Sequence, residues 1–185
     1  MTVVDAPTPT SAARALRRLY VARAVVAAAW AAVVLVAAPT VGPLLTVLLA
    51  LYPLIDAVAV FRQLRLGDQR QAAPTEWINV GVSVLVAVAL GVASTVSIGA
   101  VLTVWGIWAI GSGVPQLITA IRRRAGGGQV AQMLSGGISV LAGGGFVVQG
   151  LQGADSLSGI GGYALLGAVF FLVSALLLGR PRRTT

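Results

Sequence analysis

Six apolar runs of membrane-spanning length divide this sequence, and they restrict its fold more than any other feature. A transmembrane helix needs about 20 predominantly apolar residues. Because backbone polar groups in lipid must be satisfied within the segment, such runs form helices. The sequence therefore predicts an all-α integral membrane protein with six transmembrane helices, over residues 19–38, 41–61, 77–93, 98–121, 130–151 and 157–179.

The composition agrees with a bilayer as the solvent of this chain. Of its 185 residues, 57% are hydrophobic and 10% are charged, whereas a soluble domain carries about 25% charged residues. Every basic residue is an arginine and alanine is abundant, a usage associated with bacterial genomes of high GC content. We therefore predict a multi-pass protein of a bacterial inner (plasma) membrane.

The arginines fall only on alternate connections between the apolar runs, at residues 14–23, 62–70, 122–124 and 180–183. Basic residues beside membrane spans favour the cytoplasmic side, so the N and C termini are both predicted to be cytoplasmic. The predicted organisation is a partly disordered cytoplasmic tail, a six-helix membrane domain and an arginine-rich cytoplasmic tail, over 1–18, 19–179 and 180–185 respectively.

Internal similarity divides the membrane domain into three helical hairpins. Gly81-Val82-Ser83-Val84-Leu85 recurs 56 residues later as Gly137-Ile138-Ser139-Val140-Leu141. Such copies would be parallel repeats, related by an axis along the membrane normal. The alternative is chance similarity between segments drawn from alanine, valine, leucine and glycine. The predicted hairpins cover about 19–61, 77–121 and 130–179.

Glycine and tryptophan motifs on the fourth apolar run carry a family resemblance. They are Ile98-Gly99, Trp105-Gly106-Ile107-Trp108, Gly111-Ser112-Gly113 and Leu117-Ile118-Thr119-Ala120-Ile121-Arg122. With them, the stretch 81–124 resembles the HdeD family of bacterial acid-resistance membrane proteins. The resemblance implies six spans built from two-helix repeats and a role in surviving acid or envelope stress. Many family members are known only as a domain of unknown function, and the family supplies no catalytic residue.

One acid and one base lie within apolar runs, namely Asp56 and Arg23. An ionisable group at the centre of a membrane helix costs about 2.5–3.5 kcal/mol on insertion scales and marks a functional candidate. Both residues lie at nearly the same distance from the first turn, so they are predicted to share a depth and to pair. Arg23 either snorkels to the interface with Asp56 as a packing partner, or Asp56 titrates in an inward-facing polar vestibule.

Polar residues at matching positions of the other hairpins extend this pair into a candidate intramembrane polar site. Arg23 corresponds to Asn79 and Ser135 at the repeat spacing, and Asp56 corresponds to Ser112 and Ser174. The predicted site comprises Arg23, Asp56, Asn79, Ser112 and Gln116.

Glycines on the fourth and fifth runs are predicted to let helix backbones approach closely, because small residues are the usual contacts between membrane helices. They are Gly106, Gly111, Gly113, Gly136, Gly137, Gly143 and Gly144.

Aromatic residues near span ends anchor membrane proteins at the interface, and this role is predicted for Trp77 and Tyr163. Trp30, Trp105 and Trp108 lie deeper in their runs and are predicted to pack.

No arrangement of residues indicates an enzyme, a metal site or a cofactor. The chain contains neither cysteine nor histidine, so thiolate ligands and the usual neutral-pH base are absent. Nucleic-acid binding is disfavoured because the arginines occur in short groups between apolar runs.

The expected function is a non-enzymatic stress protein that alters membrane permeability or proton tolerance. The alternatives are a small transporter or channel using Asp56, and a membrane scaffold or accessory subunit. The bilayer is the expected partner, with a homo-oligomer or a membrane partner left open.

Overall fold

The computed structural model describes residues 11–37, 42–66, 74–122 and 130–178, which are helical apart from short turns. The helices are α1 Ser11–Ala37, α2 Pro43–Leu66, α3 Pro74–Val96, α4 Ile98–Arg122, α5 Val130–Leu151 and α6 Ser158–Leu178. All six are long and apolar enough to cross a membrane. The chain is therefore a helical, multi-pass membrane protein, as the apolar runs predict.

The first helix is longer than the first apolar run. It begins at Ser11 rather than near residue 19, so residues 11–18 of the predicted tail are helical. Alanine, leucine and arginine are strong helix formers, and Arg14, Arg17 and Arg18 are exposed on the added turns. The predicted disorder of residues 1–10 and the arginine-rich tail 180–185 lie outside the described residues.

Two of the short connections have defined local geometry. Ser97 alone separates α3 from α4, and its Oγ accepts a hydrogen bond from the Ala100 amide at 3.0 Å, which caps the new helix. After α5, Gly153 adopts φ +75°, and the Ala154 amide donates to the Gln149 carbonyl at 3.0 Å. This left-handed glycine with a bond reaching five residues back is a Schellman ending. Both devices allow a reversal of direction within a few residues.

The helices form a ring in chain order, which α6 closes by packing against α1. The most extensive contacts join α4 to α5, α1 to α6 and α2 to α3, whereas α1–α2, α3–α4 and α5–α6 make fewer. The two helices of each predicted hairpin are therefore connected by a short turn, yet each packs more closely on a helix of the neighbouring hairpin. Close and loose interfaces alternate around the ring.

The packed core occupies only one end of the ring of helices, along the direction of the helix axes. It includes Trp30, Leu45, Leu90, Trp105 and Ile160, all of which lie toward the end that carries the Ser97 turn. We name this the turn end, and the opposite end, which carries Arg62 and Arg122, the arginine end. The outer surface is apolar, as at Val36, Leu141 and Leu151, and such a surface is suited to contact with lipid chains.

Glycines in register hold α4 and α5 together. Gly106 and Gly143 face each other so closely that a methyl group added to Gly106 would lie 2.5 Å from the Gly143 carbonyl oxygen. The same relation, at 2.8 Å, holds for Gly99 with Gly150 and for Gly113 with Gly136. We call these six residues the glycine zipper, and on each helix its members recur every seven residues.

The predicted set of packing glycines is therefore only partly right. Gly106, Gly113, Gly136 and Gly143 belong to the zipper, whereas Gly99 and Gly150 were not predicted. The prediction is wrong for Gly111, Gly137 and Gly144, where an added methyl group would meet nothing within 4 Å. These three residues lie on faces of their helices that turn away from the α4–α5 contact.

Candidate functional site

A cavity of about 260 Å³ lies inside the ring, and all six helices contribute to its wall. Its polar residues lie toward the arginine end, beyond the packed core. Every member of the predicted polar site is part of this wall: Arg23, Asp56, Asn79, Ser112 and Gln116. The structure thus brings together residues from four helices that are up to 93 positions apart in the sequence.

Arg23 and Asp56 form an ion pair across the wall of the cavity. One terminal guanidinium nitrogen of Arg23 donates to the carboxylate of Asp56. The side chains remain 14% and 22% exposed respectively, so the pair is neither fully buried nor free in solvent. The guanidinium carbon also lies 4.1 Å from the centre of the Phe171 ring, a distance suited to a cation–π contact. Side chains of α2 and α6 therefore hold the Arg23 side chain of α1.

The residues that match this pair in the other hairpins have different positions. Asn79 and Ser112 are exposed and line the cavity, and so does the half-buried Ser135. Ser174 is not part of the wall, and its Oγ donates to the Phe170 carbonyl at 2.8 Å within α6. The expected polar equivalent of Asp56 is therefore missing from the cavity in the third hairpin, where aromatic residues of α6 form the wall.

Aromatic side chains, none of which was predicted to belong to the site, form much of the wall. They are Tyr52, Trp108, Tyr163, Phe170 and Phe171. Tyr163 is not an interfacial anchor: its Oη lies 2.8 Å from the Oγ of Ser139, inside the ring. Tyr52 and Trp108 are 56 residues apart, so the repeat spacing was the available signal for this pair.

A cluster of aromatic rings closes the cavity toward the turn end. Trp30 stacks on Trp105 with ring centroids 5.3 Å apart, and Tyr52 contacts both at 4.5 and 5.4 Å. The Trp30 indole donates to the Leu48 carbonyl at 2.7 Å. Trp105 is fully buried, and in the described part of the chain its Nε1 has no hydrogen-bond partner. The predicted packing role of Trp30 and Trp105 is thus confirmed, and these two residues separate the cavity from the turn end, whereas Trp108 lines the cavity.

A smaller crevice of about 30 Å³ lies on the other side of the ion pair. It is formed between α1, α2 and α6, where α1 and α2 pack loosely. Arg23, Asp56, Tyr52 and Phe171 line both spaces. The ion pair is consequently a partition between the central cavity and the seam between these helices.

Comparisons with protein-family models, with curated proteins and with solved structures found no match for this chain. The resemblance to the HdeD family therefore stays a prediction from the sequence motifs. The cavity and the ion pair are the features of this chain that bear on its function.

Proposed function

We propose that this chain is a small membrane transporter or channel that moves protons or small polar solutes. The observation that carries the proposal is a polar cavity enclosed by six apolar helices, with an ion pair in its wall and a packed aromatic cluster at one end. A cavity between membrane helices that a packed cluster closes at one end is the arrangement expected of one state of an alternating or gated pathway.

The composition of the wall favours this function over a purely structural role for the pair. Replacing a buried ion pair by well-packed apolar residues is often neutral or stabilising, so stability alone gives little reason to keep charges in a membrane span. Charged residues that line a cavity between membrane helices typically mark a substrate or proton pathway. A scaffold would need neither the cavity nor the charges.

The role in acid or envelope stress that the HdeD resemblance implies is compatible with this proposal. A cavity that handles protons is a physical means by which a small membrane protein could alter proton tolerance. In cells, the corresponding test is the survival of a deletion strain after acid challenge. The strain is complemented with wild type or with Asp56→Asn.

Vesicles containing the purified protein should dissipate an imposed proton gradient, or swell in a gradient of a small neutral solute, at least tenfold faster than protein-free vesicles. Asp56→Asn should return the affected flux to the protein-free level, because the charged wall is then incomplete. Asp155→Asn is the matched control, since Asp155 is an exposed acid at the turn end, away from the cavity. Flux should be scaled to the amount of folded protein recovered. Wild-type vesicles that show neither flux would overturn the proposal.

We also propose that the arginine end faces the cytoplasm, on the basis of the alternating arginine groups. The chain has no cysteine, so single cysteines report on orientation without background. A membrane-impermeant maleimide added to intact cells should label Ser97→Cys at the turn end and should leave Arg122→Cys unlabelled until the cells are lysed. Both positions are exposed. The reverse pattern would require the opposite orientation.

The three-hairpin repeat is likewise part of the proposal, and the positions of equivalent residues support it. Val34, Leu90 and Phe146 follow one another at intervals of 56 residues, and all three belong to the packed core. Arg23 and its counterparts at the same interval all line the cavity. The alternation of close and loose interfaces is also what three copies around a common axis would produce.

A further inference from the structure

We propose that the cavity binds a small zwitterion, with its ammonium group against Asp56 and the aromatic side chains and its anionic group against Arg23. This inference rests on the proposed function because it names the substrate class for the same cavity. It is carried by the charge balance of the wall, by the aromatic residues and by the size of the space.

The charge balance favours a solute that carries both signs. Among the residues that line the cavity in the described part of the chain, Arg23 is the only base and Asp56 the only acid. A solute of a single charge would engage one partner and leave the other uncompensated, which is costly in a partly buried site. A zwitterion inserted between them replaces one ion pair by two and leaves no charge without a partner.

The aromatic residues are suited to the cationic half of such a solute. The Arg23 guanidinium already lies between the Asp56 carboxylate and the Phe171 ring, which shows that this position holds an organic cation. Tyr52, Trp108 and Phe170 provide further aromatic surface around the same space. Quaternary ammonium groups are recognised by aromatic rings of this kind. An ammonium group would take the place of the guanidinium, and Arg23 would turn to the anionic group.

The size of the cavity restricts the solute to a small molecule. Drug-sized ligands occupy pockets of about 300–1,000 Å³, and this cavity of about 260 Å³ lies just below that range. Ser112, Ser135, Asn79 and Gln116 add hydrogen-bonding groups to the wall. A zwitterion of this kind could reach the cavity as a free solute or as the headgroup of a lipid, which could enter through the loosely packed α1–α2 seam.

Glycine betaine is a suitable probe because it joins a quaternary ammonium to a carboxylate. Its binding to the full chain is measured by calorimetry in nanodiscs of phosphatidylglycerol, a lipid that is not zwitterionic. Choline retains the cation alone, and 3,3-dimethylbutyrate retains the carboxylate with an uncharged group of the same shape. We expect betaine to bind at least tenfold more tightly than either. Equal or tighter binding of choline or of dimethylbutyrate, or no binding of betaine, would overturn the proposal.

Two kinds of variant test the assignment to these residues. Arg23→Gln and Asp56→Asn should each weaken betaine binding at least tenfold, whereas Asp155→Asn should leave it unchanged. Phe171→Leu keeps both charges and removes one aromatic face. It should therefore weaken betaine binding about fivefold without changing the affinity for dimethylbutyrate. This variant keeps the test decisive if a charge variant fails to fold. Unchanged betaine binding by Phe171→Leu and by the folded charge variants would contradict the site.

A second nanodisc preparation separates the two sources of the zwitterion. If replacing half of the lipid by phosphatidylethanolamine weakens betaine binding at least tenfold, the zwitterionic headgroup of that lipid occupies the site. An unchanged affinity for betaine assigns the site to a free solute. Vesicle flux without betaine binding would contradict the zwitterion site and leave the transport proposal standing. Betaine binding without any flux would support the zwitterion site and contradict the transport proposal.

Discussion

Replacing Gly106 by alanine is expected to destabilise the folded protein by about 1–3 kcal/mol, the usual cost of overpacking a close contact. The new methyl group would lie 2.5 Å from the Gly143 carbonyl oxygen and 2.8 Å from the Val147 amide nitrogen. Both are backbone atoms, so no side-chain rotation relieves the clash and α4 must move away from α5. On the scaling for soluble chains of this size, the melting temperature should fall by about 2–12 °C.

Gly111→Ala is the matched control on the same helix. Nothing lies within 4 Å of the position its methyl group would take, so we expect no loss of stability and a gain of up to about 1 kcal/mol, because alanine favours a helix more than glycine does. Thermal unfolding of both variants in one detergent, followed by circular dichroism, makes the comparison. Equal melting temperatures for the two variants would mean that the α4–α5 backbones do not meet as the glycine zipper requires.

Hydropathy predicted the six spans because lipid imposes one requirement on every helix, namely an apolar surface of sufficient length. The same requirement conceals which side of a helix faces inward. Gly143 and Gly144 are adjacent in the sequence, yet only Gly143 lies at the α4–α5 contact. The spacing of seven residues between Gly99, Gly106 and Gly113 was a usable signal, since it places these residues on one face of a helix.

Depth in the membrane was the property that linked Arg23 to Asp56. Distance from a turn is read directly from the sequence, and two charges in lipid have few other partners, so their pairing could be predicted. The aromatic wall could not be inferred in this way. An apolar ring satisfies both the lipid and the interior, and nothing in the composition of α6 distinguishes Tyr163, which points inward, from a residue that anchors at the interface. The closure of the ring by α6 against α1 likewise depends on tertiary packing.

Removing one member of the Arg23–Asp56 pair is expected to destabilise the protein by about 2–3 kcal/mol. The value lies below the 3–5 kcal/mol typical of a fully buried pair, because both side chains keep some exposure. Arg23→Gln leaves a carboxylate without its cation, and Asp56→Asn leaves a guanidinium without its anion. The double variant leaves no charge uncompensated, so it should lose only about 1 kcal/mol, which corresponds to a coupling energy of about 3–5 kcal/mol between the two substitutions. Unfolding in detergent for the wild type and the three variants completes the cycle.

The double variant also distinguishes a packing role for the pair from a functional one. If the pair only fixes the packing of α1 on α2, Arg23→Gln/Asp56→Asn should be nearly as stable as wild type and should retain its flux in vesicles. If the charges are the substrate-handling groups of the cavity, the same variant should be folded and inactive. We expect the second result, because both members of the pair line the cavity and keep some exposure. A stable double variant with wild-type flux would reduce Arg23 and Asp56 to packing partners.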